Sequence, residues 1–247
     1  MARKISKLVH VGTSGWHYKH WKGPFYPADM KEKDFLAFYQ ERFRTVELNN
    51  SFYHLPLPQT LTNWHDKTPD DFLFAAKASR YITHVKRLLA PEETLPPFFE
   101  RIELLAEKLG PILLQLPPGF KFAPERLESF LEALKPWKQH HYTIEFRNPT
   151  WFNEETYALL RRFGIAFCIF ELGGLLTPDV VTADFVYIRL HGLDGKYAGS
   201  YTGAALAAWA RKFKKWTKEG REVYCYFDND QNGYAALNAM TLQELTK

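Results

Sequence analysis

The sequence predicts an α/β fold, a single (β/α)8 barrel occupying residues 1–247, and three observations carry that expectation. Eight short apolar runs, each ending in a polar or charged residue, are spread along the chain. Strand-like and helix-like patterns alternate from end to end with no run of consecutive strands, which argues for a parallel sheet. The length of 247 residues is close to the ~250 typical of such a barrel. No GxGxxG follows the first strand, so an open dinucleotide-binding sheet lacks its fingerprint.

The elements follow in order. Leu8–Thr13 is the first strand, and Asp29 is the expected N-cap of a helix over Met30–Phe43. Arg44–Asn49 is the second strand, followed by a shorter amphipathic stretch at Pro58–Asp66. Phe72–Ala78 is the third strand, and the helix Thr94–Leu109 is expected to close on Gly110 as its C′ residue. Pro111–Pro117, Tyr142–Arg147 and Ile165–Glu171 are strands four to six, with helices Pro124–Leu134 and Glu154–Phe163 between them. Leu172–Asp184 is too short for a full crossover helix, so the sixth helix is expected to be reduced or missing. Phe185–Gly192 and Glu222–Asn229 are the last strands, followed by helices Thr202–Glu219 and Gly233–Leu245 respectively. All eight strands are rich in Val, Ile, Leu and aromatics, as strands buried on both faces should be.

Composition narrows the class. A hydrophobic fraction of 46% with 24% charged residues is that of an ordinary globular protein. The net charge of +4 permits an anionic partner without demanding one, and no basic run resembles a nucleic-acid tail. Cys168 and Cys225 each lie inside an apolar strand without a CxxC neighbourhood, which predicts buried reduced thiols and suits a reducing cytoplasm. The basic segment Met1–Leu8 leads into an apolar stretch too short for a signal peptide. No run approaches the ~18 apolar residues of a membrane helix. A cytoplasmic protein with no membrane association is the expectation; oligomeric state is left open.

The polar ends place a site. Side chains alternate along a strand, and helices cover the outside of a barrel, so apolar residues of one parity face out and the others face in. Glu145 and Arg147 then point inward on the fifth strand, Arg189 and His191 on the seventh, Glu47 and Asn49 on the second. Lys77 and Gln115 take that role on the third and fourth strands, and Asn229 ends the eighth. Inward charge is costly in a dry core unless it is paired. A charge-balanced plug is one explanation, but charge gathered only at carboxyl ends favours a ligand or catalytic site, as barrel sites open there. Strands two and five face each other across roughly 14 Å in such a barrel. Glu47 and Glu145 are therefore candidates for an acid and a base, with His191 as a third. Arg189, Arg147 and Lys77 suit a carboxylate or phosphate.

Loops add contacts. Four glycines between Gly192 and Gly203 precede a helix, where barrels often bind phosphate, although tight turns explain them equally well. Aromatics crowd the loops, and Trp16, Tyr18, Tyr53 and Tyr197 are the candidates for stacking on a ligand. A second hydrophobic cluster holding the long first loop accounts for at least half of these aromatics. A divalent metal among Glu145, Glu171, His191 and Asp228 or Asp230 has poor strand parity and three repelling cations nearby. No metal and no cofactor is therefore expected.

Gly12-Thr-Ser-Gly-Trp16, Phe25-Tyr-Pro27, Thr45-Val-Glu-Leu-Asn49 with Phe52-Tyr53, Gln115-Leu-Pro-Pro118, Glu145-Phe-Arg147, Asp184 to Gly192, Phe227-Asp-Asn-Asp230 and Asn238-Ala239 together resemble the YecE-like family, a domain of unknown function. The resemblance spans nearly the whole chain. It implies a TIM-barrel fold and no established activity. The chain departs from the family pattern with Glu171 where an Asp is familiar and Asp228 where an Asn is.

The leading functional expectation is a metal-independent enzyme with hydrolase- or isomerase-type acid/base chemistry on a small polar anionic substrate. The alternatives are a metal-dependent hydrolase or isomerase of sugar or nucleic-acid phosphates, and a non-catalytic nucleotide- or RNA-binding module. The mild net charge disfavours long nucleic acid.

Overall fold

The computed structural model describes residues 8–195 and 197–247. The basic segment 1–7 and Lys196 of the glycine-rich loop lie outside the described residues. Eight main strands are present: β1 (Val9–Thr13), β2 (Thr45–Leu48), β3 (Leu73–Lys77), β4 (Leu109–Leu116), β5 (Tyr142–Phe146), β6 (Ala166–Leu172), β7 (Phe185–Leu190) and β8 (Glu222–Phe227). Their hydrogen-bonded order is β1, β8, β7, β6, β5, β4, β3, β2. The ladders are parallel, with Val9 opposite Val223, Leu113 opposite Thr143 and Ile188 opposite Cys225. First and last strands are neighbours and every other pair is consecutive in the chain. This is the α/β, TIM-type arrangement expected from the alternation.

The helices are α1 (Phe35–Gln40), α2 (Asn50–Tyr53), α3 (Pro58–Lys67), α4 (Pro91–Ile102), α5 (Pro124–Ala133), α6 (Glu154–Phe163), α7 (Gly203–Lys218) and α8 (Tyr234–Leu245). The short helix α2 was not expected, and the boundaries of α1 and α4 differ from the sequence expectation. Asp34 rather than Asp29 precedes α1, after a 3-10 turn at Glu32–Asp34. Gly110 is not a helix cap. It lies in β4, where a side-chain carbon would come within 3.4 Å of the Phe74 carbonyl, and α4 instead runs into a 3-10 turn at Glu103–Lys108. The link after β6 has no helix, as its length required. Leu175–Leu176 turns back antiparallel against Glu171 and Leu172, and the Thr182 hydroxyl accepts the Phe167 amide at 2.7 Å.

The chain forms two compact units. The first comprises the described residues up to Thr45, Ile169–Thr177 and Asp184–Lys247; the second comprises Val46–Cys168 and Pro178–Ala183. In the first, the long loop after β1 is closed by an aromatic cluster in which Tyr26 stacks on Phe35 at 4.0 Å and Tyr39 on Phe43 at 4.6 Å. The Tyr39 hydroxyl accepts the Thr13 amide at 3.0 Å and donates to the Thr45 carbonyl at 3.0 Å. In the second, Phe146 stacks on Trp151 at 4.7 Å, and the Trp151 indole donates to the Phe120 carbonyl at 2.7 Å. Tyr142 meets Phe99 edge-on from the same side of β5. Tyr142 and Phe146 thus take the helix-facing parity and leave Thr143 and Glu145 on the opposite face, both fully buried. Among the described residues no helix is long and apolar enough to cross a membrane.

Candidate functional site

In the first unit, the ends of β7 and β8 carry one connected polar cluster. Arg189 is 1% exposed and His191 fully buried. Arg189 Nη2 donates to Asp228 Oδ2 at 3.1 Å and to Ser14 Oγ at 3.2 Å. His191 Nδ1 lies 2.9 Å from Asp228 Oδ2, and its Nε2 lies 3.3 Å from Arg189 Nη1. The Tyr197 ring stands edge-on to His191 at 5.5 Å, on a residue held at φ +63°. A left-handed tyrosine is uncommon, and such strain gathers at functional sites.

Asp228 is the residue that sequence reading missed as a partner of Arg189 and His191. It continues the parity of Tyr224 and Tyr226, and that phase was the available signal. Asn229 takes the opposite parity and is placed elsewhere. Its amide donates to the Gly199 carbonyl at 2.8 Å and to Asn238 Oδ1 at 2.9 Å. Asn238 Oδ1 also accepts the Tyr201 amide. Asn229 therefore ties the glycine-rich loop to α8, away from the Arg189 cluster.

That loop is folded on itself. A side-chain carbon on Gly192, at φ +101°, would sit 2.0 Å from the Ala198 carbonyl, and one on Gly199 would sit 2.4 Å from Asp194 Oδ2. Gly192 permits a close backbone approach and Gly199 a close carboxylate, and both hold a positive φ. Beside the cluster, burial raises the Asp230 carboxyl above its ordinary range, and the Asp228 charge adds to the shift. Burial likewise raises Glu171, against the opposing hydrogen bond from Trp209, the Lys212 charge and a hydrogen bond from Tyr201.

The Tyr18 ring packs among the aromatics of the first loop, and Trp16 lies buried in the same loop. Trp16 is 8% exposed and its carbonyl accepts the Tyr26 hydroxyl at 2.5 Å. The Tyr18 hydroxyl donates to the Ser14 carbonyl at 2.6 Å, and its ring lies 4.8 Å from Trp21.

In the second unit, Glu145 is the centre of a different cluster. Gln115 Nε2 donates to Glu145 Oε1 at 2.7 Å, and the Arg147 guanidinium pairs with the same oxygen. The Cys168 thiol lies 3.8 Å from Oε2. Glu47 is fully buried on β2, with Asn49 just beyond it. Lys77 ends β3 with its Nζ 4.3 Å above the Phe52 ring. Phe52 also meets His84 edge-on at 5.0 Å and Tyr53 at 5.0 Å, and Tyr53 is largely exposed.

His84 sits on a single π-helical turn, Tyr81–Val85, which the sequence did not reveal. Burial pushes its pKa down to about 4, with further lowering by Lys77, Arg80, Arg147 and Arg87. The unfolded chain therefore binds more protons between the ordinary 6.5 and about 4. His84 contributes stability that is present above pH 6.5 and lost as pH falls toward 4. Chemical denaturation at stepped pH should show this loss, and His84→Asn should reduce its steepness in that interval; an identical profile in the variant contradicts the assignment.

Among the described residues no group of three or more His, Cys, Asp and Glu side chains stands together as a metal site. Asp228 is instead paired with the Arg189 guanidinium and Glu145 with that of Arg147.

The family model described as protein of unknown function DUF72 matches residues 10–247. The UPF0759 protein YunF of Bacillus subtilis (strain 168) is 25% identical, over 96% of this chain and 94% of that protein. The UPF0759 protein YecE of Escherichia coli (strain K12) is 30% identical over 59% of this chain and 50% of its own length. A solved DUF72 family structure from Thermotoga maritima superposes with a TM-score of 0.85 at 33% identity, covering 96% of this chain and 98% of that one. A second, from Enterococcus faecalis V583, has a TM-score of 0.82 at 20% identity, covering 96% of this chain and 95% of that one, and shares the fold.

Proposed function

We propose, for a chain that belongs to the DUF72 family of proteins of unknown function, an enzyme performing acid/base chemistry on a small anionic substrate at the ends of β7 and β8. The observation that carries this reading is the placement of His191 between Asp228 and Arg189. A guanidinium group only donates hydrogen bonds, so the 3.3 Å contact makes His191 Nε2 the acceptor. Its proton then resides on Nδ1 and is donated to Asp228 at 2.9 Å. A carboxylate that fixes the imidazole tautomer leaves Nε2 as the basic nitrogen, and it becomes a general base when an anionic substrate draws the Arg189 guanidinium off it. Arg189 beside that nitrogen suits a carboxylate or phosphate oxygen, which brings an anionic substrate to the base. Tyr197 contributes an aromatic wall next to His191.

Glu145 reads differently in this scheme. We read Glu145, which accepts from Gln115 and pairs with Arg147, as an anchor for a cation in this scheme. The reading is also metal-independent. A divalent ion would compete for carboxylates that guanidinium groups already neutralise, which is a poor donor set for it. A metal-dependent hydrolase and a nucleic-acid module are therefore the weaker readings. Two buried thiols fit a reducing compartment such as the cytoplasm.

The test is a thermal-shift screen of phosphate- and carboxylate-bearing metabolites, followed by turnover assays on the compounds that bind. His191→Gln should still bind a substrate but lose turnover by about 10²–10⁴-fold. Arg189→Lys should weaken binding of the same compound. Equal turnover by His191→Gln, or stabilisation by no anion at all, overturns the reading.

A further inference from the structure

Within the second unit, the surroundings of Lys77 and His84 are not used by the His191 chemistry proposed above. We propose that the end of β3 and the turn after it bind a phosphate monoester, with Lys77, Arg80, Arg87 and Arg147 as its cations and His84 as a neutral wall. Three features of the geometry point there. Phe52 holds Lys77 Nζ 4.3 Å from its ring and His84 5.0 Å away, so a cation and an imidazole share one aromatic support. Arg80 and Arg87 are exposed at either end of the His84 turn. That turn is a π-helical element, followed by left-handed Arg87, Leu88 and Ala90 at φ +48°, +68° and +51°. Both kinds of irregularity concentrate at functional sites.

Charge selects the ligand. Lys77, Arg80, Arg147 and Arg87 all act on the His84 imidazole, so several donors gather about one point. A phosphate monoester carries about two negative charges at neutral pH and several acceptor oxygens, so it suits that spread of donors better than a single carboxylate. The cations also lower the pKa of His84, together with burial. The imidazole therefore stays neutral and does not add a fifth charge that would need compensation. The exposed Tyr53 ring, 5.0 Å from Phe52, lies next to this support and offers a surface for a ring attached to the phosphate.

His84 supplies the reporter. An anion bound among these cations favours the charged imidazole, so its titration midpoint should move up from about 4 toward the ordinary 6.5. The experiment follows the His84 resonance by NMR, with inorganic phosphate and AMP as probes, in the wild type and in an Arg80→Gln/Arg87→Gln double variant. Both substitutions are on the surface, so the fold is preserved. Inorganic phosphate should raise the midpoint, and the double variant should weaken its binding by about tenfold or more. Tighter binding of AMP than of inorganic phosphate assigns Tyr53 to the site, and equal binding places recognition in the phosphate alone. The same result in an Arg189→Lys background separates this site from the one at β7 and β8. A midpoint indifferent to phosphate, or moved equally by acetate, overturns the proposal, as does unchanged affinity in the double variant.

Discussion

Asp228→Ala is expected to lose about 3–5 kcal/mol of unfolding free energy, the usual consequence of stranding one partner of a buried ion pair. Arg189 has 1% of its side chain exposed and Asp228 has 13%. Asp228 also receives His191 at 2.9 Å, so its removal leaves a buried guanidinium without its carboxylate and an imidazole without its orienting partner. The double variant Asp228→Ala/Arg189→Met should recover much of the loss, because replacing a buried pair together removes the uncompensated charge. Urea denaturation at neutral pH measures both variants. A loss below about 1 kcal/mol for Asp228→Ala would place the pair among weakly coupled surface charges.

The same pair shows where sequence reasoning succeeds and where it stops. Strand alternation was legible because β5 and β7 separate apolar from polar residues by parity, and on β5 the packing of Tyr142 and Phe146 leaves Glu145 on the opposite face. The eighth strand was harder. Tyr224 and Tyr226 are the inward residues there, and aromatic side chains of both parities hide the phase. The Asn229 amide, bonded to Gly199 and Asn238, looks from sequence like a rim residue and performs a loop-anchoring task. Gly110 misled for a related reason. A glycine after a helical pattern signals a cap, but here it lies in β4 beside Phe74 of β3. The His84 turn had no signal, because a π-helical turn depends on tertiary packing rather than on a residue pattern.

Gly12→Ala should be the other large effect, and it tests the backbone where β1 meets the start of β2. A side-chain carbon on Gly12 would stand 2.3 Å from the Thr45 carbonyl oxygen and 3.2 Å from the Thr45 methyl group. Neither neighbour is the mobile end of a long side chain. Thr45 is held from the other side as well, with its carbonyl accepting from the Tyr39 hydroxyl and its own hydroxyl 2.6 Å from that of Tyr226. The strands must separate locally, and overpacking of this kind costs about 1–3 kcal/mol or more. Each kcal/mol corresponds to about 2–4 °C in a chain of this size. Scanning calorimetry should show the drop in Gly12→Ala and none of that size in Gly110→Ala, where the nearest atom lies at 3.4 Å. Equal melting temperatures for wild type and Gly12→Ala contradict the close approach.

The protonation pattern of one imidazole bears the whole chemical reading. Nitrogen-15 NMR of the His191 ring distinguishes its two nitrogens directly, with His191→Gln providing the assignment. The account predicts a proton on Nδ1, held against Asp228, and an unprotonated Nε2 facing Arg189, with the pattern lost in Asp228→Asn. A proton found on Nε2 instead would turn the basic nitrogen toward Asp228 and contradict it.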